Sequence, residues 1–186
     1  MGLLTILVAL AAAWGAARYP GAAWLALPAL LACVWAGTTL PDIDQPLPLD
    51  HRSAATHSAL PAAAALARRW AWPVAAGLFL GIGLHLAADF FPNGMTGFAT
   101  IKVPLGGSLG ADGSYAWIGL NALVCGAAGT WLALRGHAPG WRGAALVGAG
   151  LIGLVYLAGV DGGWWALATF AVVAVLALRL RRSAAA

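Results

Sequence analysis

The chain has 186 residues, of which 62% are hydrophobic and only 9% are charged, and its mean hydropathy is +0.85. These values exclude a soluble domain, because a fold of this size cannot bury nearly two thirds of its residues in one core. The formal net charge of +4 comes without a basic stripe interleaved with aromatic residues, so nucleic acid is not an expected partner. The composition predicts an all-α fold, a polytopic membrane helical bundle that forms one domain over residues 1–186.

Seven apolar segments are candidate membrane helices, since a hydrocarbon core of about 30 Å needs about 20 apolar residues in a helix. The first segment lacks a basic start, so we expect a retained helix in preference to a cleaved signal peptide. The third is short and contains Arg68 and Arg69, which leaves open a tilted or incomplete crossing. The seven predicted spans are 3–18, 22–40, 56–71, 73–91, 115–134, 143–160 and 164–180.

An alternating seven-helix arrangement with the N-terminus outside separates the two signs of charge. Eight arginines fall at one surface, and the positive-inside rule makes that surface cytoplasmic. All six acids and three histidines fall at the other. The sequence therefore predicts a protein of the bacterial cytoplasmic membrane with a cytoplasmic C-terminus and a polar extracytoplasmic end. The inner residues are Arg18, Arg68, Arg69, Arg135, Arg142, Arg179, Arg181 and Arg182; the outer ones are Asp42, Asp44, Asp50, Asp89, Asp112, Asp161, His51, His57 and His85.

The segment "PDIDQP" follows the second predicted span and holds Asp42 and Asp44 between Pro41 and Pro46. Proline at both ends disfavours helix and predicts an extended segment, in which side chains at i and i+2 point the same way. The two carboxylates could then face one cation. The alternative is a turn rich in Asp and Pro at a helix C-terminus.

Two further segments supply histidines. "DHRSAATHS" brings His51, Arg52 and His57 to the start of the third predicted helix, and the alternative reading is a set of hydrogen-bonded interfacial residues. In "GLHLAADFFPNG", His85 and Asp89 are four residues apart and share one helix face near the outer end of the fourth span. This spacing can present an imidazole and a carboxylate to one metal, or it can form a plain His–Asp hydrogen bond. Because ionisable residues inside a span are costly, we expect a function.

Together these segments offer six nitrogen and oxygen donors at one end of the bundle. Mixed histidine and carboxylate ligation suits Zn²⁺, with Mn²⁺ or Fe²⁺ as alternatives, and six donors suit two ions about 3.5–4 Å apart that clamp a phosphoryl group. Arg52, and less strongly Lys102, could neutralise phosphate oxygens. We expect Asp44, His57 and Arg52 to be catalytic. The expected metal ligands are Asp42, Asp44, His51, His57, His85 and Asp89.

The segments "GTTLPDIDQP", "HRSAATHS" and "HLAADFFPNG" resemble the signature segments of the YdjM-like, LexA-regulated, membrane-bound metal-dependent hydrolase family. That family carries P-D-x-D-x-P, H-R-x-x-T-H-S, and H-x-x-x-D followed shortly by Pro and Gly. The resemblance covers residues 37–106, and helices over 115–180 carry no recognised motif. "SAA" replaces the middle of the usual H-R-G-I-T-H-S form. Since the family is grouped with zinc-dependent phospholipase C and related nucleases, the resemblance implies a phosphoesterase with two or three metal ions on the six ligands named above.

These observations favour a metal-dependent hydrolase that acts on a phosphoester of a phospholipid or another lipid-linked phosphate at the outer membrane interface. A metal-ion or proton transporter is the main alternative, but it should carry ionisable groups at several depths, and the inner halves of the spans have almost none. A third alternative is a non-catalytic protein with a structural metal site, which would have a closed ligand shell. The expected partners are membrane lipid and the substrate.

Overall fold

The computed structural model describes residues 2–47, 49–91 and 94–183, without the side chains of residue 174 and of residues 176–183. The described chain is helical apart from one short antiparallel hairpin, as the composition predicts. The α-helices are α1 (Gly2–Arg18), α2 (Ala26–Gly37), α3 (Leu60–Ala63), α4 (Trp72–Asp89), α5 (Gly110–Gly136), α6 (Pro139–Gly159) and α7 (Gly163–Ser183); the strands are β1 (Lys102–Val103) and β2 (Gly107–Ser108).

The structure has fewer long apolar helices than the seven predicted spans. Among the described residues, four helical segments are long and apolar enough to cross a membrane, and two shorter apolar helices flank them. The outer helices expose large apolar side chains such as Leu123, which is 74% exposed, so the bundle surface fits a lipid environment. The four segments are Pro20–Gly37, Arg69–Asp89, Gly110–Gly136 and Pro139–Gly159, and the shorter helices are Gly2–Arg18 and Gly163–Val173.

The third predicted helix, 56–71, is broken into short pieces. The helix α3 has four residues, 3₁₀ turns follow over Ala64–Ala67 and Arg69–Ala71, and Arg68 between them is extended with φ −132° and ψ 128°. The 13 residues 59–71 must cover the length of α4, whose 18 residues rise about 27 Å, whereas 13 residues of α-helix rise only about 20 Å. The seven 3₁₀ residues, at about 2.0 Å each, and the extended Arg68 together add about 5 Å and close most of this gap.

The broken segment still carries the chain from one end of the bundle to the other. Ala59 N–H donates to Asn121 Oδ1 on α5, two residues after Gly119, which packs against Phe90 at the end of α4. The segment ends at Trp72, where α4 begins. The segment therefore joins the two ends of the bundle. All acids lie at one of these ends with Arg52 and Lys102, and the other described arginines lie at the opposite end. The described arginines at one end are Arg18, Arg68, Arg69, Arg135 and Arg142, and the acids at the other are Asp42, Asp44, Asp50, Asp89, Asp112 and Asp161.

The helix α4 is the centre of the bundle. In its apolar segment 83% of the residues are buried, against 22–33% in the other three long segments. Glycines let it approach α2 closely: a Cβ on Gly77 would lie 2.2 Å from the carbonyl oxygen of Leu30, and one on Gly81 would lie 2.2 Å from that of Val34. Small residues at spacing i, i+4 permit such backbone contact between membrane helices. His85 continues the same face one turn later and so meets the end of α2.

Two loops cover the acidic end of the bundle. The loop after α2 and the loop after α4 are joined by backbone hydrogen bonds, from Ala54 N–H to the Lys102 carbonyl at 2.8 Å and from Lys102 N–H to the Arg52 carbonyl at 3.0 Å. These bonds fix the histidine-bearing loop against the hairpin formed by β1 and β2. The candidate site lies beneath this joined pair of loops.

Candidate metal centre

His85 is held by the helix ends that surround it. Its Nδ1 lies 2.9 Å from the carbonyl oxygen of Thr38, just after α2, and 3.2 Å from the Tyr156 hydroxyl on α6. Because a carbonyl can only accept, Nδ1 carries the proton and donates it to Thr38. The other ring nitrogen, Nε2, therefore has a free lone pair in the neutral ring. A hydrogen bond of this kind is the usual way in which a metal-binding histidine is oriented.

His57, in the loop after α2, is oriented like His85 by hydrogen bonds to its backbone and to its Nδ1. Trp117 Nε1 on α5 donates to the His57 carbonyl at 2.9 Å, which fixes the backbone. The ring Nδ1 lies 3.3 Å from Asp44 Oδ2 and 3.1 Å from Thr56 Oγ1. Since a carboxylate accepts, Nδ1–H donates toward Asp44, and Nε2 again keeps a free lone pair. The side chain is 1% exposed, so this nitrogen is shielded from water.

Asp44 is fully buried and accepts several hydrogen bonds through one oxygen. Ser53 N–H donates to Oδ2 at 3.0 Å and the Thr56 hydroxyl donates to it at 3.2 Å, beside the contact with His57. Burial alone would raise the pKa of Asp44, but the bonds from His57, Ser53 and Thr56 outweigh it and hold the pKa below its ordinary value. Asp44 is thus an ionised carboxylate that orients His57, and its Oδ1 remains buried without a hydrogen-bond partner.

The predicted extended conformation of "PDIDQP" is wrong, because Pro41–Asp44 forms a 3₁₀ turn. Pro41 occupies the first turn, where its missing N–H and fixed φ are tolerated. In a helix of three residues per turn, side chains at i and i+2 lie about 120° apart, not on one side. Asp44 consequently turns inward to His57, while Asp42 stays at the surface with 44% of its side chain exposed.

Asp89, the last residue of α4, lies between the two histidines. Its Oδ2 is 3.6 Å from His57 Nε2 and 3.4 Å from His85 Nε2, and its Oδ1 accepts from Arg52 Nη2 at 3.0 Å. The rings of the two histidines meet edge to face with centroids 5.4 Å apart. The i, i+4 spacing therefore does place an imidazole and a carboxylate side by side, and His57 from another loop joins them.

Three atoms at the point where these side chains converge are buried without a hydrogen-bond partner: the Nε2 atoms of His57 and His85, and Oδ2 of Asp89. Leaving such groups unsatisfied costs about 1–3 kcal/mol each. Ligands held at about 2.0–2.1 Å by a tetrahedral Zn²⁺ lie about 3.3–3.4 Å from one another. The separations of 3.4 and 3.6 Å between Asp89 Oδ2 and the two nitrogens are close to that value. This donor set fits a divalent cation.

Asp42 adds a further carboxylate at the open side of this set. Asp42, His57 and His85 each offer a ligand atom, and these three atoms lie within 4.8 Å of one another. Asp42 Oδ2 is 3.9 Å from His85 Nδ1, while Gln45 Nε2 donates to its Oδ1 at 3.4 Å. The two histidines are therefore shared between Asp42 on the exposed side and Asp89 on the buried side. Asp42 approaches the Nδ1 of His85, whose proton goes to the Thr38 carbonyl, and so lies beside the point where the two Nε2 atoms and Asp89 converge.

Arg52 is committed to contacts inside the protein. It is 7% exposed, and its guanidinium donates to Asp89 Oδ1 and, at 2.8 Å, to the carbonyl of Ala99. Its backbone has φ of 59°, a conformation uncommon for a residue with a side chain. Arg52 was expected to bind phosphate. In the structure it pairs with Asp89, a candidate ligand, and joins the two loops.

His51 lies outside the group that the structure brings together from the described residues. Its ring packs on Phe98 with centroids 5.8 Å apart, and burial, together with the nearby charge of Arg52, holds its pKa below the ordinary value despite Asp44. Lys102 Nζ donates to the Phe98 carbonyl and lines a cavity of about 360 Å³ with Asp50. The charge of Asp44 acts on both His51 and Lys102.

Sequence reasoning missed the residues that orient the ligands. Thr38 acts through its backbone carbonyl, so no side-chain pattern could identify it. Trp117 and Tyr156 lie on the two helices without a recognised motif. A usable signal did exist in α5, because Asn121 is a polar residue in an apolar span, and polar side chains there usually contact another helix.

Comparison of the chain with protein-family models, with curated proteins and with solved structures found no match. The resemblance to the YdjM-like hydrolases therefore stays a prediction from the three motif segments. In the third of these, Pro92 and Asn93 lie outside the described residues. The distances and burial in the candidate centre do not depend on that resemblance.

Proposed function

We propose that the protein is a membrane-bound, metal-dependent phosphoesterase of the bacterial cytoplasmic membrane, with its site at the extracytoplasmic surface. The observation that carries this proposal is the convergence of His57 Nε2, His85 Nε2 and Asp89 Oδ2. All three atoms are buried and lack a hydrogen-bond partner, and the carboxylate oxygen lies 3.6 Å and 3.4 Å from the two imidazole nitrogens. Two histidines with carboxylates suit Zn²⁺ first, and Mn²⁺ or Fe²⁺ as alternatives. A second ion bound beside the first remains a prediction.

The residues around the ion divide into ligands and positioning groups. His57, His85 and Asp89 hold the cation, and Asp42 closes the set from the exposed side. Asp44 and Arg52 act through His57 and Asp89, whose orientation they fix. A divalent ion here would supply Lewis-acid polarisation of a phosphoryl oxygen and a nucleophilic hydroxide near neutral pH.

The substrate is a phosphoester of a lipid or of a lipid-linked molecule. The centre lies at one end of an apolar bundle, and Asp42, the most exposed ligand, marks the side from which a phosphate can approach. Large apolar side chains on the covering loops, such as Phe98 and Leu105, are exposed beside the polar site. This combination suits a substrate with a phosphate next to acyl chains.

Transport is less well supported than hydrolysis. A path across the membrane needs ionisable or polar groups at several depths. Along α4, the central helix, no Asp, Glu, His, Lys or Arg precedes His85, and the α2 sequence contains none of these residues. The candidate ligands therefore form a site at one end, without a relay leading from it.

The test is hydrolysis of a chromogenic phosphodiester, and then of extracted membrane lipids, by detergent-solubilised protein. Wild type should hydrolyse one of these substrate sets in the presence of Zn²⁺ or Mn²⁺ and lose turnover in EDTA. Asp89→Ala should lose more than about 100-fold, because losing a ligand exceeds the 10–100-fold effect of losing an outer partner. Asp50→Ala, a change at an exposed acid in the loop that carries His57, is the control and should keep full activity. Absence of metal-dependent turnover by wild type on both substrate sets would refute the proposal.

A further inference from the structure

A second candidate site lies at the arginine-rich end of the bundle. A cavity of about 270 Å³ is enclosed there by the end of α1, the start of α2, the start of α4 and the α5–α6 connection. It lies about 27 Å from the metal centre, the length of α4. Small alanines and four indole rings form most of its wall, and some of the rings reach the surface. The tryptophans are Trp24, Trp70, Trp72 and Trp141.

His137 lines this cavity and has an unsatisfied nitrogen. The residue is 6% exposed, and its Nδ1 lies 3.1 Å from the carbonyl oxygen of Ala133, so Nδ1 carries a proton and donates it. The other nitrogen, Nε2, is buried and has no hydrogen-bond partner among the described residues. In the neutral ring Nε2 can only accept, so a ligand that satisfies it must bring a donor, such as a hydroxyl group.

Positive charge surrounds the same cavity. Arg69 lines it and rests on the face of Trp72, with 5.8 Å from its guanidinium carbon to the ring centroid. All six acids of the chain lie at the other end of the bundle, so within the described part of the chain no carboxylate pairs with Arg69. Arg142 Nε donates to the His137 carbonyl at 3.1 Å and adds a second positive charge nearby. The cavity thus combines an apolar wall, a hydroxyl acceptor and unpaired cationic charge.

We propose that this cavity binds an anionic glycerophospholipid, represented by phosphatidylglycerol. Arg69 pairs with the phosphate, a hydroxyl of the headgroup donates to His137 Nε2, and an acyl chain lies along the tryptophan and alanine wall. Basic pockets between membrane helices at the cytoplasmic face suit anionic headgroups, and tryptophan is enriched at the same depth. This site is independent of the proposed hydrolase function, because it shares no residue with the metal centre.

The test uses the full chain in a neutral detergent, with thermal unfolding and native mass spectrometry as readouts. Phosphatidylglycerol should raise the unfolding temperature saturably and remain bound as one lipid per chain, whereas phosphatidylcholine and soluble glycerol 3-phosphate should not. Arg69→Gln and His137→Phe should each weaken the apparent affinity by about tenfold or more, because the first removes the cation and the second removes the hydrogen-bond acceptor. The matched control is Arg68→Gln, which removes the adjacent exposed arginine outside the cavity and should leave the affinity unchanged.

Three outcomes would overturn the proposal. Equal stabilisation by phosphatidylcholine would remove the role of charge, and equal stabilisation by glycerol 3-phosphate would remove the role of the acyl chain. Equal losses in Arg68→Gln and Arg69→Gln would reduce the effect to surface charge. If His137→Phe fails to fold, Arg69→Gln alone still decides, because Arg69 is exposed and its replacement disturbs the stacking on Trp72 without opening a buried cavity. None of these readouts depends on metal content or hydrolysis.

Discussion

Replacement of Gly81 by alanine tests whether the contact between α2 and α4 positions the metal centre. The added Cβ would lie 2.2 Å from the Val34 carbonyl oxygen and 2.7 Å from Gly37 Cα. Ordinary contact begins at about 3.4 Å, so the helices must separate by about 1.2 Å. Overpacking costs about 1–3 kcal/mol, and the cost here is near the upper end because the clash is with backbone. Alanine favours helix over glycine by about 1 kcal/mol, so the free energy of unfolding should fall by about 2 kcal/mol in total.

The same separation should disturb His85, which lies one turn beyond Gly81. Its 2.9 Å contact with the Thr38 carbonyl would stretch past hydrogen-bonding distance, and the ring would lose the orientation of Nε2. We expect Gly81→Ala to lower metal affinity by about 10–100-fold, as for loss of an outer partner.

The assay is thermal unfolding in detergent combined with Zn²⁺ titration of the purified protein. Gly126→Ala in α5 is the matched control, since a Cβ there would meet nothing within 4 Å. That variant should be neutral or slightly more stable than wild type, because alanine favours helix over glycine. If Gly81→Ala proves as stable as Gly126→Ala and binds Zn²⁺ with wild-type affinity, the close contact does not position the site and the reasoning fails.

Three further substitutions separate positioning residues from ligands. Asp44→Asn removes the carboxylate that accepts from His57 Nδ1. It should weaken Zn²⁺ affinity by about 10–100-fold in a titration and leave the stoichiometry at saturation unchanged. Loss of the binding site would instead make Asp44 a ligand. Arg52→Gln leaves the partly buried Asp89 without its cation and should cost about 3 kcal/mol by thermal unfolding in EDTA, and less in Zn²⁺. Equal losses in both conditions would contradict the pairing. Tyr156→Phe removes the hydroxyl 3.2 Å from His85 Nδ1. It should lower the free energy of unfolding by about 1 kcal/mol or less and keep the metal stoichiometry, because the Thr38 carbonyl still accepts the Nδ1 proton. Loss of the bound ion, measured by elemental analysis, would count against this assignment.

The sequence was sufficient to predict the helical class and the grouping of charges at opposite ends. Both follow from local properties, namely long apolar runs and the positions of arginines between them. The pairing of His85 with Asp89 was equally predictable, because a helix brings residues at i and i+4 to one face. Their contact at 3.4 Å is a direct consequence of helix geometry.

The broken segment at 56–71 could not be predicted from hydropathy. Its composition is that of a short apolar helix, and only the distance that it must cover distinguishes a regular helix from a stretched one. That distance is set by α4, a different element. This removes one of the seven predicted spans, whereas α1 and the described part of α7 over Gly163–Val173 are apolar helices of fewer than 18 residues.

The roles of the aspartates and of Arg52 depended on tertiary contacts. Proline flanks suggested an extended "PDIDQP", but a 3₁₀ turn sends Asp44 inward and leaves Asp42 outside. Arg52 could not be separated from a phosphate-binding residue by sequence, because its partner Asp89 is 37 positions away. His51 and His57 likewise looked equivalent, and only the fold separates the ring that packs on Phe98 from the ring that joins the cluster.

Metal stoichiometry in wild type, His85→Ala and His51→Ala tests the central claim most directly. After dialysis against Zn²⁺ and removal of excess metal, elemental analysis of the wild type should find at least one tightly bound ion per chain. His85→Ala should lose that ion, because it removes one of the three converging donors. His51→Ala should retain it, because His51 lies outside the group. Wild-type protein without bound metal, or equal loss in the two variants, would contradict the account.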